Sequence, residues 1–404
     1  MPQHDDGRAS DPARSATSES RLRTANRTQV LNLLSRSAPV SRADLAQHTG
    51  LSRSTVSSIV QELLGSGEII ETTAESLPRG GGRPPSLLPV NGSPGTRVGV
   101  DIGHRHVRVA VADLAGHHLA DHEIRLDADN SAVETIDRAA ALVRECLTEA
   151  GIDPKSDRIL GIGMGIPGPV DPHSGMVVSP ILGNWMDLAP GEELARRLGV
   201  PVHVENDANL GALAEVEHGA AREVDDVIYV KASSGIGAGL VLAGKLYRGV
   251  TGIAGEIGHV RFEDNGPICR CGNRGCLEKA FGGARLVELL QPAYDETLSV
   301  ERMLELAQEG DIRVNRILDD AGRAVGRVLA DLCNHLNPGL IVVGDTMRHS
   351  ESFVLGIKDS IDRFTQPDTA AALDVVPSEL GDNARVTGAL IIANPTTSAN
   401  PGTI

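Results

Sequence analysis

One histidine and three of the chain's five cysteines fall between Glu256 and Glu278, in the stretch EIGHVRFEDNGPICRCGNRGCLE. Cys269, Cys271 and Cys276 are separated by Gly272 and Gly275, which let the backbone fold back on itself, and His259 supplies a fourth donor. The spacing predicts a tetrahedral zinc knuckle. Four protein ligands leave no position for an activated water, so the metal is expected to be structural. The alternative is a set of ordinary buried cysteines, but a CxCx4C run among glycines and charged residues makes a poor core segment. Cys146 and Cys333 stand alone in helical patterns and read as buried core thiols, consistent with a reducing compartment.

A chain of 404 residues suits two or three domains, and with aromatics at 2% its cores must be built from Leu, Val, Ile and Ala. The net charge of −16 argues against a nucleic-acid binder as a whole, yet the charge is unevenly spread. Between Ser20 and Gln61, Arg21, Arg23, Arg27, Arg36, Arg42 and Arg53 face a single acid, Asp44. That is a local basic patch on an acidic protein. No apolar run approaches the ~18 residues of a membrane span, and the N-terminus lacks an apolar secretory core. The expectation is a cytoplasmic protein with no membrane partner.

Residues 1–20 have no periodicity and read as a disordered tail. Val30, Leu31, Leu33 and Leu34 then give one face to a helix over roughly 22–36. Ser41 with Asp44 forms a capping-box variant for a second helix that Gly50 stops, and Ser52 caps a third carrying Val56, Ile59, Val60, Leu63 and Leu64 at helical spacing. Three such helices make a helix-turn-helix. Apolar residues on either side of PRGGGRPPS (Ile69 and Ile70 before it, Leu87 to Val90 after it) predict the hairpin wing of a winged version, so 21–90 is read as one DNA-binding domain. Ser52, Arg53, Ser54, Thr55 and Ser57 put short donors and a guanidinium at the start of the third helix, where a recognition helix meets base edges and phosphates, and Arg83 sits in the wing. A three-helix module for dimerisation or peptide binding is the competing reading. From residue 97, strand-like runs (RVGVDI, RILGIGMGI, PVHVEN, DVIYVKA, LIVVGD) alternate with helical segments at 133–150, 191–199, 208–218, 284–291, 300–309 and 313–336, the pattern of an α/β domain to about residue 392. Residues 393–404 read as a loose tail. SSGIGAG lacks the GK[ST] ending of a Walker loop, and Gly161, Gly163 and Gly165 run into PGPVD instead of a helix, against a dinucleotide fingerprint.

The string ExGH, followed by CxCGNxGCLE, resembles the signature of the ROK family of sugar kinases and sugar-responsive repressors. The resemblance implies a winged helix-turn-helix followed by a two-lobed actin-like, ribonuclease-H-like sugar-kinase fold. It also implies that Asn206 and Asp207 of VENDAN match the family's sugar-binding and catalytic pair, Asp207 being the base in a kinase, with Glu256, His259 and Glu278 completing the sugar contacts. On the phosphate side, Asp101 and Gly103 match the first loop, while Arg105 stands where the family has a small hydroxyl. Ser234, Gly235 and Gly237 match the second segment. Asp345 replaces a glycine in the adenosine segment. These departures count against ATP and magnesium. The chain therefore reads as a sugar-responsive, DNA-binding regulator, a repressor, with operator DNA and a sugar or sugar phosphate as partners and a homodimer or homotetramer as its assembly. The alternative is an ATP-dependent hexose or N-acetylhexosamine kinase carrying a DNA-binding domain, and a third reading makes the α/β part a dimerisation scaffold.

Overall fold

The computed structural model describes residues 26–27, 29–30, 33–34, 40–65, 69, 71–73, 86–88, 95–114, 116–156, 158–178 and 180–393. The expected tails, Arg83 and the body of the wing loop lie outside the described residues. Two compact units result: one gathers the described residues up to Gly95 with Asp113–His117, the other the remainder.

In the first unit, residues 26, 27, 29, 30, 33 and 34 are helical, followed by the helices Arg42–Thr49 and Arg53–Gly65. Ser41 caps the former as the sequence predicts. Its hydroxyl accepts from Asp44 N–H, Asp44 accepts in return from Ser41 N–H at 2.9 Å, and Gly50 closes the helix at φ +68°, a left-handed geometry that glycine adopts without strain. Strands β1 (Val40–Ser41), β2 (Thr72–Thr73) and β3 (Ser86–Leu88) form an antiparallel sheet in the order β1-β3-β2. The wing thus begins at Thr72, with Ile69 directed into the core. Val30, Leu34, Leu45, Val56, Ile59, Val60, Leu63, Ile69 and Leu88 are buried together, each contributing about 1.5–3 kcal/mol.

The second unit has two lobes whose sheets repeat one topology. The first holds β4 (Thr96–Ile102), β5 (His106–Asp113), β6 (His118–Arg125), β7 (Ile159–Ile166) and β8 (Val202–Asn206) in the order β6-β5-β4-β7-β8. The second holds β9 (Val227–Ala232), β10 (Ile236–Leu242), β11 (Lys245–Leu246), β12 (Leu340–Gly344) and β13 (Asp374–Pro377) in the order β11-β10-β9-β12-β13. In each, two parallel pairings follow an antiparallel hairpin, the duplicated α/β pattern of the sugar-kinase fold. The expected helices appear at Ala132–Glu149, Pro190–Leu198, Asp207–His218, Gly283–Leu290, Val300–Gln308 and Ile312–Leu336. Those at Glu351–Phe364, Pro367–Ala372 and Ala384–Ile392 were not foreseen. Cys146 and Cys333 are buried as expected.

Gly161 and Gly163 of β7 owe their place to the unforeseen C-terminal helix, whose end packs against them, and Gly165 to Leu210 of helix 207–218. A Cβ on Gly163 would fall 1.9 Å from Ala389 O, so no other residue admits that approach. SSGIGAG is likewise only partly a turn: β10 starts at Ile236, and Gly237 and Gly239 are strand residues. A Cβ on Gly239 would fall 2.4 Å from Ala208 O, the start of the helix that packs there.

Candidate ligand cleft and metal centre

Four side chains gather in the knuckle. His259 ends a 3-10 turn, Ile257–His259, and Cys276 precedes the short helix Leu277–Phe281. Gly275 holds the return of the chain at φ +69°, and a Cβ there would lie 1.8 Å from Glu263 O. The donor atoms of His259, Cys269, Cys271 and Cys276 all lie within 4.8 Å of one another. Cys271 Sγ and Cys276 Sγ are 3.7 Å apart, and Cys269 Sγ is 3.5 Å from His259 Nδ1. Tetrahedral ligation with Zn–S near 2.3 Å separates sulfurs by about 3.8 Å, so the set fits such an ion. With Nδ1 turned to the thiols, His259 presents Nε2 to Glu256 Oε2 at 3.5 Å.

Beside the knuckle, Asn206, Asp207, Glu256, His259 and Glu278 line one small cavity of about 40 Å³, with Lys231, Arg270, Gly235 and Gly237. β8 delivers Asn206, whose Oδ1 accepts from Ala208 and Asn209 N–H to cap helix 207–218, while its Nδ2 reaches Gly168 O at 3.3 Å. Its amide oxygen is therefore spent on the helix. Glu278 accepts from Ile236 N–H through Oε2 at 3.0 Å. Burial first, then Asp207 and Glu278, pushes the Glu256 carboxyl up to about 7. A larger cavity of about 250 Å³ opens beside β8, and none of the expected site residues lines it.

Three cations were missed by the sequence reading: Arg270, which lines the cavity, Lys231 and Arg385. Lys231, at the end of β9, places Nζ 2.5 Å from Asp207 Oδ2. Burial opposes its charge, but Asp207 and then Asp345 outweigh this and raise its pKa. Arg385, on helix 384–392, bonds Asp101 Oδ2 through Nε at 3.0 Å and Asp345 Oδ2 through Nη1 at 2.8 Å. One guanidinium thus joins β4, which carries Asp101, to the turn after β12, which carries Asp345. Despite full burial, Arg385 and His106 hold Asp101 well below the usual carboxylate range. His106 lies over Gly103, where an added Cβ would meet its Cε1 at 2.1 Å, and its Nε2 contacts Asp101 Oδ2 at 3.1 Å. Arg105, which stands where the family has a small hydroxyl, is exposed, while His106 packs over Gly103 and Arg385 pairs with Asp101. Ser234 is also exposed, and Asp101, Gly103 and Ser234 do not join the cavity.

In the winged unit, Ser52, Arg53, Ser54 and Ser57 are exposed at the start of helix 53–65 and Thr55 is half-buried. Ser52 Oγ accepts from Thr55 N–H at 3.1 Å, so this hydroxyl caps the helix. The basic patch is thinner than composition implied. Arg42 pairs with Glu71 at 2.6 Å and Arg27 with Glu62 at 3.4 Å, acids lying just beyond the counted stretch. Arg53 has no ion pair among the described residues. No described helix is long and apolar enough to cross a membrane.

Residues 97–396 match the ROK family and residues 23–76 the MarR family. The chain is 33% identical to the xylose repressor of Bacillus subtilis (strain 168) over 368 residues, spanning 91% of this chain and 94% of the repressor. Among solved structures, a ROK family transcriptional regulator homologous to E. coli MLC aligns with TM-score 0.79 and 26% identity, over 94% of this chain and 98% of that one. A ROK family glucokinase from Streptomyces griseus, in complex with glucose and AMPPNP, aligns with TM-score 0.65 and 28% identity, over 74% of this chain and 99% of the kinase. With the ROK family matched over residues 97–396, the chain belongs to the ROK family.

Proposed function

We propose that the protein is a sugar-responsive transcriptional repressor that binds operator DNA through a domain spanning 21–90 and its effector through the α/β domain of 97–392. The observation that carries this reading is Arg385 between Asp101 and Asp345. Asp101 is the carboxylate that the family resemblance gives to a magnesium nucleotide, and here an internal guanidinium occupies it together with Asp345, which stands where the family has a glycine. The sugar side remains suited to a ligand: Asp207, Glu256 and Glu278 offer carboxylate oxygens to paired hydroxyls, with Asn206 and His259 beside them. Structural zinc on His259, Cys269, Cys271 and Cys276 would fix the imidazole so that Nε2 faces the pocket. Arg53 and the exposed serines beside it support DNA contact, and Arg83 belongs to the same reading. The assembly is a cytoplasmic homodimer or homotetramer, since two recognition helices must meet half-sites spaced by whole turns of ~34–36 Å.

The test pairs two measurements. Fluorescence anisotropy on DNA from beside the protein's own coding sequence, with and without a panel of sugars headed by xylose, should show saturable binding that one sugar weakens. A coupled ATP-turnover assay over the same panel should show no phosphorylation. Turnover with any sugar would instead establish the kinase reading, for which Asp207 would be the base.

A further inference from the structure

Arg270 lies between two of the knuckle cysteines, and its side chain leaves the knuckle toward the opposite lobe. The turn that carries it is closed by backbone bonds, Cys269 N–H to Asn273 O at 2.7 Å and Gly272 N–H to Cys269 O at 3.0 Å. The guanidinium stands at the mouth of the ligand pocket. It is 3.7 Å from Glu278 Oε1 on its own lobe, and on the first lobe 3.7 Å from Asp129 Oδ2 and 3.4 Å from His104 Nε2. His104 and Asp129 are joined to each other, Nδ1 to Oδ1 at 2.7 Å. With Nδ1–H given to the carboxylate, Nε2 carries the lone pair that accepts from the guanidinium.

The receiving side is as well ordered as the giving side. Leu126 N–H donates to Arg105 O at 3.1 Å and Ala128 N–H to His104 O at 3.0 Å. Trp185 Nε1–H donates to Ala128 O at 2.9 Å, and Asn184 Nδ2–H to Asp129 O at 2.8 Å. Asp129 is thereby held where a fork from the other lobe can reach it. The forked shape matters, because a guanidinium can face carboxylates on both lobes at once, whereas an ammonium is a single point of charge. The cavity behind it, about 40 Å³, has room for roughly three waters, so the lobes must part for a sugar to enter.

We propose that Arg270 is a positioning residue of the ligand pocket, a clasp that joins the two lobes across its mouth, releases to admit ligand and closes behind it. For its ligand the proposal rests on the sugar-site reading above. The contacts are at ion-pair distances and partly exposed, so each is weak alone. That suits a contact broken each time ligand passes.

The experiment uses the full chain with its metal, comparing R270A, D129N, the double variant and R270K. Asp129 does not line the pocket, so D129N takes away the charged half of the clasp, and the carboxylate that keeps His104 Nε2 an acceptor, without touching the ligand contacts. Stopped-flow release of the sugar that the wild type binds should speed up roughly 2- to 10-fold in R270A and in D129N, the size expected of a few half-exposed contacts. The double variant should release no faster than R270A, because both changes remove one interaction, and R270K should fall between wild type and R270A. Without sugar, amide hydrogen exchange over 102–108 and 126–131 should quicken alike in R270A and D129N, at unchanged metal content. Multiplying effects in the double variant, slower release from R270A, or D129N matching wild type in both release and exchange would overturn the clasp. A wild type that binds no sugar in the panel would defeat the sugar-site reading instead. The exchange data would then decide the clasp: lost protection in both variants upholds it, and unchanged protection refutes it.

Discussion

The two ends of the cleft, for which a sugar side and a former phosphate side are proposed above, use charge in opposite ways. At the sugar end, Glu256 and Glu278 crowd around a pocket, and burial with mutual repulsion lifts the Glu256 carboxyl to about 7, a state that donors on a ligand would relieve. At the phosphate end, Asp101 and Asp345 have already found their counter-ion in Arg385, and His106 packs on the glycine where a phosphate would approach. Asp207 lies at the border, facing the pocket yet paired to Lys231. Arginine and lysine from two separate elements, helix 384–392 and β9, thus neutralise these carboxylates internally.

The comparison can be broken most forcefully at the metal. Replacing Cys271 by Ser should release zinc and cost several kcal/mol or more, since binding energy at a structural site is also folding energy. Metal content by mass spectrometry and the thermal midpoint would check this, and correctly folded wild type without zinc would refute the metal assignment.

Removing Arg385 tests the other end. Arg385→Ala takes from the buried Asp101 and Asp345 the guanidinium that balances both charges, leaving His106 on the former and Thr346 N–H on the latter, and should destabilise by about 3–5 kcal/mol in urea unfolding. A loss below about 1 kcal/mol would mean that water, not the guanidinium, balances those carboxylates.

Glu256→Ala sharpens the contrast between the ends. It should abolish a sugar effect on DNA affinity of roughly 5- to 150-fold, the range of a 1–3 kcal/mol coupling, while sugar-free DNA binding stays intact. A variant that still responds fully would place the effector elsewhere.

An effect no larger than this is expected from the winged unit. Arg53→Ala should weaken DNA binding by about 1–3 kcal/mol if it reads a base, or lower the salt slope by about one if it meets a phosphate. Unchanged anisotropy titrations at two salt concentrations would remove Arg53 from the interface.

Local signals were legible. The Ser41–Asp44 box, the stop at Gly50, the heptad-like apolar face of helix 53–65 and the knuckle spacing are all set by neighbours within one or two turns, where backbone geometry alone decides the outcome. The glycines were legible as special but not as to cause: at Gly163 and Gly239 the reason is a helix from elsewhere in the chain. By itself the sequence determined the helices of the first unit and most of the α/β order as far as β12, and it picked out His259, Cys269, Cys271 and Cys276, whose donor atoms gather within 4.8 Å. Only tertiary structure decided which charges remain available to a ligand. Arg385 meets Asp101 across a separation of 284 residues, and Arg42 meets Glu71 outside the stretch in which its charge was counted. Ion pairs have no sequence period, so the partner of a buried cation emerges only when folding brings distant segments within a few ångströms.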